Sequence, residues 1–445
     1  MAFHDTANTI ALMQTIVSAF LFVAVFTMCV LAAPRNSVAE RYSGAFVLAG
    51  LTWIFQSSLL FWCRSKGWVS LLVTTAWTTY WHALEMLLVS KVCLADIQEL
   101  AGKKKRRQPP GPSESEGGSE SKDSRSKSGS GSGSPWQLAI STSALLCKWR
   151  RIGTKWQVPR LPRFSPDGSV PSKGAFLFRA LLKITASYLM MSMFSVAPPP
   201  DPNLIAIERQ PVFSRLNDIS AADVVFRVLS TAVFFINVAL MVTMWYYLVC
   251  VVSVVLGLAG PQDCPPFYGS LSNAYTLRGL WRYCVALDPN GIGSVRYADD
   301  NISRNIHQGL RKCVSGPADA FADSLRLPRG TFASRSIRLM LAFLISAVVH
   351  APADMATGLS FADGGQLYFF SMQAIGVILE MTVQNIWSRT GLHFPRVLQK
   401  ALGYMWVISW FCWITPNWSY PTMRNMDPVK DGIVVPAHVL AARFQ

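Results

Sequence analysis

The sequence predicts an all-α, polytopic integral membrane protein, and three observations carry that prediction. Hydrophobic residues fill 51% of the 445 positions and charged residues only 15%, well below the charged fraction of soluble domains. The mean hydropathy is positive, at +0.29. Apolar stretches long enough to cross a bilayer recur from one end of the chain to the other.

Eight such spans occur in order, at about residues 8–32, 44–63, 68–92, 174–194, 222–258, 336–358, 365–387 and 397–416. The first lacks a basic stretch before it and a small-residue cleavage site after it. It therefore reads as a retained helix and not as a removable signal. The fifth is ADVVFRVLSTAVFFINVALMVTMWYYLVCVVSVVLGL. It is long for one crossing, yet no Gly, Pro or charge cluster in its middle could make a turn, so it reads as one long, tilted helix. The expectation is eight crossings, or nine if this span divides.

Between the third and fourth spans, residues 101–135 are low-complexity: AGKKKRRQPPGPSESEGGSESKDSRSKSGSGSGSP. Too few apolar side chains are present to offset the entropy of ordering, which predicts a disordered cytosolic linker. It separates N-terminal membrane helices (residues 1–100) from a larger membrane domain (136–445) that contains a polar loop at 259–335. Residues 136–173 mix Trp149 and Trp156 with Arg150, Arg151 and Lys155, a pattern that suits the membrane interface.

A net charge of +16 could point to nucleic acid, but its distribution argues for topology. The basic residues gather at Lys103–Lys173, Arg278–Arg335 and Arg389–Lys400, and eight crossings put all three loops on one side. The positive-inside rule makes that side cytosolic. Arg64 and Lys66 in the second connection run against the trend. Lys103–Arg107, directly after a membrane helix, reads as a topogenic or lipid-facing cluster. The nine cysteines contain no CxxC pair, which gives no pattern for a disulfide framework or a Cys-ligated metal.

Among six histidines, His350 stands out because it lies inside the sixth span, IRLMLAFLISAVVHAPADMATG. Counted from Ile337 it falls roughly 20 Å into a bilayer about 30 Å thick. An ionisable group at that depth marks either a functional site or a neutral imidazole bonded to a neighbouring helix. Ser346 and Asp354, four residues to either side, share its helical face and could orient it. Pro352 could open the helix locally. His307 precedes the same span in the stretch IHQGLRK. In the third span, His82 and Glu85 lie three residues apart on one face and read better as a mutually satisfied interhelical pair than as a proton path. Gln373 and Glu380 in the seventh span read the same way. The remaining histidines, His4, His393 and His438, fall in loops or termini. No Walker loop, GxGxxG, HExxH, GxSxG or DHHC-type cluster is present. The sequence thus offers no signature for nucleotide hydrolysis, zinc proteolysis, α/β-hydrolase chemistry or Cys-based protein acylation.

Four stretches, in order, resemble the membrane-bound O-acyltransferase superfamily, in its wax-synthase-like branch of fungal secondary metabolism. RRIGTKWQV (Arg150–Val158) is similar to an RGIGT motif. CPPFYGSLSNAYTLRGLW (Cys264–Trp281) resembles a PPLFG…SLRxFW stretch. FLISAVVHAPAD (Phe343–Asp354) resembles an FxxSGxxH helix, and LGYMWVISWFCWITPNWSYP (Leu402–Pro421) resembles an aromatic C-terminal helix. Ala347 replaces the glycine of the third motif, and Gly279 stands near an aromatic position of the second.

The resemblance implies acyl transfer from acyl-CoA to a hydroxyl, with His350 as the catalytic histidine. His307 would match the histidine of a WxxxWHQ motif as a second catalytic group that positions the thioester or stabilises the oxyanion. That histidine should follow Trp281 closely, whereas 26 residues (307 − 281) separate the two. Without Tyr283–Ser303 the chain would read WRRNIHQ, so this segment reads as an intron retained in frame, or else as a genuine loop. Arg278, Arg311 and Lys312 are candidates for the CoA phosphates, with plain positive-inside charge as the other reading. No metal and no tightly bound cofactor are expected, with acetyl-CoA as co-substrate. The expected partners are membrane lipid and a hydrophobic alcohol, and the expected location is the endoplasmic reticulum membrane. The favoured reaction is acetyl transfer to a terpenoid or meroterpenoid hydroxyl. Long-chain wax or sterol ester synthesis is the alternative enzyme, and a transporter with intramembrane His and Glu residues is the alternative class.

Overall fold

The computed structural model describes residues 2–107, 134–148, 150–157, 164–165, 167–212, 215, 217–268, 274–283, 311–328, 330–391, 394–427 and 430–434. Residues 2–5, 102–107, 282–283 and 311–315 are described as backbone alone. Thirteen α-helices are assigned within them. They are α1 (Ala2–Ala32), α2 (Val38–Trp62), α3 (Lys66–Leu84), α4 (Leu94–Arg107), α5 (Pro135–Cys147), α6 (Lys173–Ser195) and α7 (Ala221–Val255), then α8 (Leu277–Tyr283), α9 (Arg311–Ser324), α10 (Phe332–Ala356), α11 (Gln366–Thr390), α12 (Arg396–Ile414) and α13 (Pro416–Asn425). No strand occurs among the described residues.

Local chemistry sets several of the ends. Ser134 and Gln137 form a reciprocal capping box at the start of α5, and Ser220 and Asp223 do the same for α7. These side chains satisfy backbone donors that have no partner within the helix. Thr331 Oγ1 accepts from the Ser334 N–H (3.2 Å) to start α10. At the head of α11, Gly365 adopts φ +73°. A Cβ there would come within 1.9 Å of the Asn417 carbonyl oxygen. Glycine therefore lets α13 approach the end of α11.

Among the described residues, six helices are long and apolar enough to cross a membrane: α1 (from Thr6), α2, α6, α7, α10 and α11. The third and eighth apolar spans are also helical, as α3 and α12, but less apolar. The fifth span is one uninterrupted helix of 35 residues, about 52 Å long. The third departs from regularity, because α3 passes into a single π turn at Glu85–Val89.

Side-chain bonds between distant residues gather the chain into two ends. At one end Arg35 and Lys155 meet Asp96, and Arg150 meets the carbonyls of Pro265, Pro266 and Phe267. At the other, Lys66 meets Asn425, Asn425 bonds to Thr357 (2.7 Å) and Arg424 meets Ile205. The segments that flank the basic loops therefore share one end.

The two largest apolar cores among the described residues lie at the N-terminal bundle and around α10 and α11. One joins α1–α5, including Phe26, Leu48, Leu87, Ile97 and Leu145. Helix α5, at the start of the 136–173 stretch expected at the interface, packs into the N-terminal bundle. The other joins α8, α10, α11 and α12 around Phe343, Phe369, Trp410 and Phe411. At Gly376 a Cβ would lie 2.6 Å from Trp410 and 2.7 Å from Leu277, so glycine allows α8 and α12 to close on α11.

Candidate active site

The row Leu339, Phe343, Ser346, Ala347 and Asp354 on α10 is buried, and His350 lies on the same face. Its imidazole stacks on Phe370 of α11, with centroids 5.0 Å apart and planes at 16°. Trp418 of α13 closes the edge at 5.9 Å and 68°. His350 itself keeps partial accessibility within these buried surroundings. Neither ring nitrogen has a hydrogen-bond partner among the described residues. The helix begins at Phe332, before the Ile337 used for the sequence estimate, so His350 lies about 27 Å from its start and about 9 Å from Ala356.

Ser346 and Asp354 do share the face of His350, but neither bonds to it. Ser346 Oγ donates to the Ala342 carbonyl (3.1 Å), the usual satisfaction of a hydroxyl within its own helix. Asp354 Oδ2 accepts from Trp418 Nε1 (2.9 Å). Asp354 thus fixes the indole that borders His350, a role that the four-residue spacing does not reveal. Pro352 is accommodated near the end of α10 without breaking it.

The cage continues toward the basic end. Trp281 of α8 meets Phe343 edge-on (5.4 Å, 73°) and lies 6.3 Å from Phe370. Its Nε1 donates to Gln373 Oε1 (2.9 Å). Gln373 is fully buried, and its Nε2 has no partner. Farther along α11, Glu380 Oε2 accepts the backbone N–H of Arg278 (3.2 Å). Gln373 and Glu380 are thus interhelical partners that fasten α8 to α11. Arg278 is partly exposed. The backbone of Arg311 and Lys312 opens α9, but their side chains lie outside the described residues. His307, most of the 283–303 segment, Trp149, His393, His438 and residues 108–133 of the 101–135 linker also lie outside them, whereas residues 101–107 of that linker are helical and end α4.

His82 and Glu85 form a second buried cluster in the N-terminal bundle. Both meet Arg151 from the RRIGT stretch, which is 1% exposed. Its guanidinium pairs with Glu85 Oε2, lies 3.3 Å from Ser90 Oγ and faces His82 Nδ1 at 3.4 Å. Ser90 Oγ also donates to Glu85 Oε1 (2.7 Å). His82 Nε2 is 3.1 Å from the Leu145 carbonyl. A carbonyl only accepts, so Nε2 carries the proton and Nδ1 presents its lone pair to Arg151. The pair is satisfied across elements as expected, but through an arginine that the sequence did not assign to it. Arg151 holds φ +51°, a region that costs a non-glycine residue energy.

The neighbouring Arg150 fastens the PPF turn through Pro265 (3.3 Å), Pro266 (2.8 Å) and Phe267 (2.7 Å). It lies over the rings of Tyr246 (5.4 Å) and Phe267 (5.0 Å). Burial holds its guanidinium below the usual arginine value. The two adjacent arginines thus tie the RRIGT loop to α3 on one side and, on the other, to the turn that leads into α8.

At the opposite end, a cavity of about 210 Å³ lies between residues 204–228 and the end of α12, and Arg209, Arg215 and Tyr420 line it. Tyr420 is two residues beyond Trp418, the neighbour of His350.

The model of the membrane bound O-acyl transferase family matches residues 302–372, which include α10 and the first turns of α11. An acetyltransferase of Calcarisporium arbuscula, aurG, is 28% identical over 65% of this chain and 65% of its own length. The acetyltransferase fsoF of Humicola fuscoatra is 30% identical over 61% and 64%. The acetyltransferase ataH of Aspergillus terreus is 26% identical over 66% and 92%. The match therefore spans less than two thirds of the first two relatives. No solved structure matches the chain significantly. With the family model lying over the helix that carries His350, the chain is similar to membrane-bound O-acyltransferases and to fungal acetyltransferases.

Proposed function

We propose that the protein is an acyl-CoA-dependent O-acyltransferase in which His350 is the general base. The observation that carries this reading is the partly accessible imidazole, stacked on Phe370 and bordered by Trp418, with no hydrogen bond to a described residue. A base must keep a nitrogen lone pair free for the substrate proton, and this ring does. The substrate hydroxyl donates its proton to His350, and its oxygen attacks the thioester carbonyl carbon. The tetrahedral intermediate then expels the CoA thiolate, which takes the proton back. The imidazolium formed in between rests on the face of Phe370, where the ring quadrupole favours a cation.

His307 is the second group in this reading, reached through the chain that continues from α8. Arg278, Arg311 and Lys312 stand where α8 and α9 begin, at the basic end, and meet the CoA phosphates. Acetyl is the favoured group, since the named relatives are acetyltransferases. An apolar cage of Phe370, Trp418 and Trp281 suits a polycyclic alcohol such as a terpenoid or meroterpenoid. The endoplasmic reticulum is the membrane proposed.

Purified protein incubated with radiolabelled acetyl-CoA and a panel of hydroxylated terpenoids should form an ester that depends on both. Folded protein that neither binds CoA nor forms an ester would instead favour a transporter.

A further inference from the structure

Gln373 is one of several buried polar residues with an unpartnered atom among the described residues. Its carboxamide is fully buried, one half of it is committed and the other half is idle. The committed half fixes the orientation. An indole N–H only donates, so the atom 2.9 Å from Trp281 Nε1 must be the carbonyl oxygen. Nε2, with two N–H donors, is then directed elsewhere and finds no acceptor among the described residues. An unpaired buried amide is costly, and native interiors leave few such groups unexplained.

The surroundings locate what could satisfy it. Gln373 lies one turn from Phe370 on α11, about 4.5 Å along the axis, and Phe370 is the ring on which His350 stacks. Trp281, which holds the amide oxygen, also lies against Phe370 and Phe343. The idle donor therefore belongs to the same cage as the free imidazole, one turn nearer the basic end. A reactant that approaches from that end meets Gln373 before His350.

We propose that Gln373 is a further catalytic residue, whose Nε2 donates to the thioester carbonyl oxygen of the acyl donor and to the oxyanion that develops on it. The inference rests on the acyl-transfer reading above. When the alcohol oxygen, losing its proton to His350, bonds to the carbonyl carbon, the C=O π pair moves onto oxygen. The Gln373 N–H receives that charge. When the C–S bond breaks, the pair returns to re-form the carbonyl and the thiolate leaves with the proton from His350. The donor is already aligned by Trp281, so no reorganisation is needed as charge appears.

The test compares Gln373→Met with Trp281→Phe. If Gln373 serves only to hold Trp281, the two variants remove the same hydrogen bond and lower thermal stability and turnover alike. If it is the oxyanion donor, Gln373→Met loses about 10²–10³ in kcat with KM for acetyl-CoA little changed. Trp281→Phe, which keeps the amide, loses far less. Gln373→Asn supplies a second readout, since its amide is one methylene short. The infrared carbonyl stretch of bound 13C-labelled acetyl-CoA should be lowered in the wild-type protein and should rise in this variant. Wild-type-like kcat in Gln373→Met, or an unchanged carbonyl frequency in Gln373→Asn, would overturn the inference while leaving His350-dependent transfer intact. A folded wild-type protein that transfers no acetyl group would overturn the acyl-transfer reading itself and this inference with it.

Discussion

Two intrahelical histidines, the buried His82 and the partly accessible His350, occupy opposite kinds of site. Around His82 both ring nitrogens are used: one meets a backbone carbonyl, the other faces Arg151, and Arg151 neutralises Glu85, with its own Nε left without a partner among the described residues. Around His350 the partners are rings, and both nitrogens remain without a protein acceptor or donor among the described residues. A saturated network rigidifies the interior, whereas an unsaturated one leaves chemistry to an incoming molecule. Hydrogen-bond saturation, more than depth or residue type, separates the two.

The largest effect expected is on turnover. His350→Ala should lower kcat by ~10²–10⁴, the usual loss for a general base, with acetyl-CoA binding and thermal stability close to wild type. Steady-state kinetics on folded protein would measure this, and comparable losses in both quantities would blur the contrast between the clusters. The second effect is on stability. Arg151→Met leaves the Glu85 carboxylate buried without its cation and should cost about 3–5 kcal/mol. A denaturation midpoint would register it, while turnover per folded molecule stays near wild type.

A smaller effect is expected at the neighbouring arginine. Arg150→Lys keeps the charge but cannot serve three carbonyls with one planar fork. About 1.5–3 kcal/mol should be lost, read as faster proteolysis of the 259–268 turn. The smallest effect belongs to the outer ion cluster. Burial pushes Asp96 upward, but bonds from Lys155, the Cys93 N–H and Arg35 outweigh it and hold the carboxyl below its usual value. Arg35 and Lys155 are largely exposed, so solvent screening limits the gain to about 1 kcal/mol. The stability is fully present above the unfolded value, near ~3.9, and is lost as pH falls through the lower folded value. The difference in melting temperature between wild type and Asp96→Asn should therefore hold from neutral pH to about 5 and shrink on further acidification.

Much of the fold is legible in the sequence because membrane crossing imposes long apolar runs. All eight spans are helices, and the absence of Gly, Pro or clustered charge in 222–258 correctly implies one helix. The boundary at Glu85 was not legible, since a π turn has no local signature in TTYWHALEML. The site was legible in part. His350 announces itself as a lone ionisable group, and Trp281 lies in a recognisable stretch. The bond between Trp281 and Gln373 crosses 92 residues, and Arg151 reaches Glu85 across 66. Local periodicity does not encode pairings at such separations. Ser346 and Asp354 show the opposite failure: correct spacing put them on the right face, yet tertiary contacts gave Asp354 to Trp418 instead. One signal could have found Arg151. An apolar span with a buried carboxylate needs a cation, and paired arginines stood in the next ordered loop.

The most direct test is a single-turnover measurement of acetyl transfer in His350→Ala and His82→Asn, each normalised to folded protein. His350→Ala should lose at least ~10² in rate with normal stability, while His82→Asn should lose stability and keep its rate. Near-wild-type transfer by His350→Ala, or a selective loss of rate in His82→Asn, would contradict the assignment of chemistry to His350 and of structure to His82.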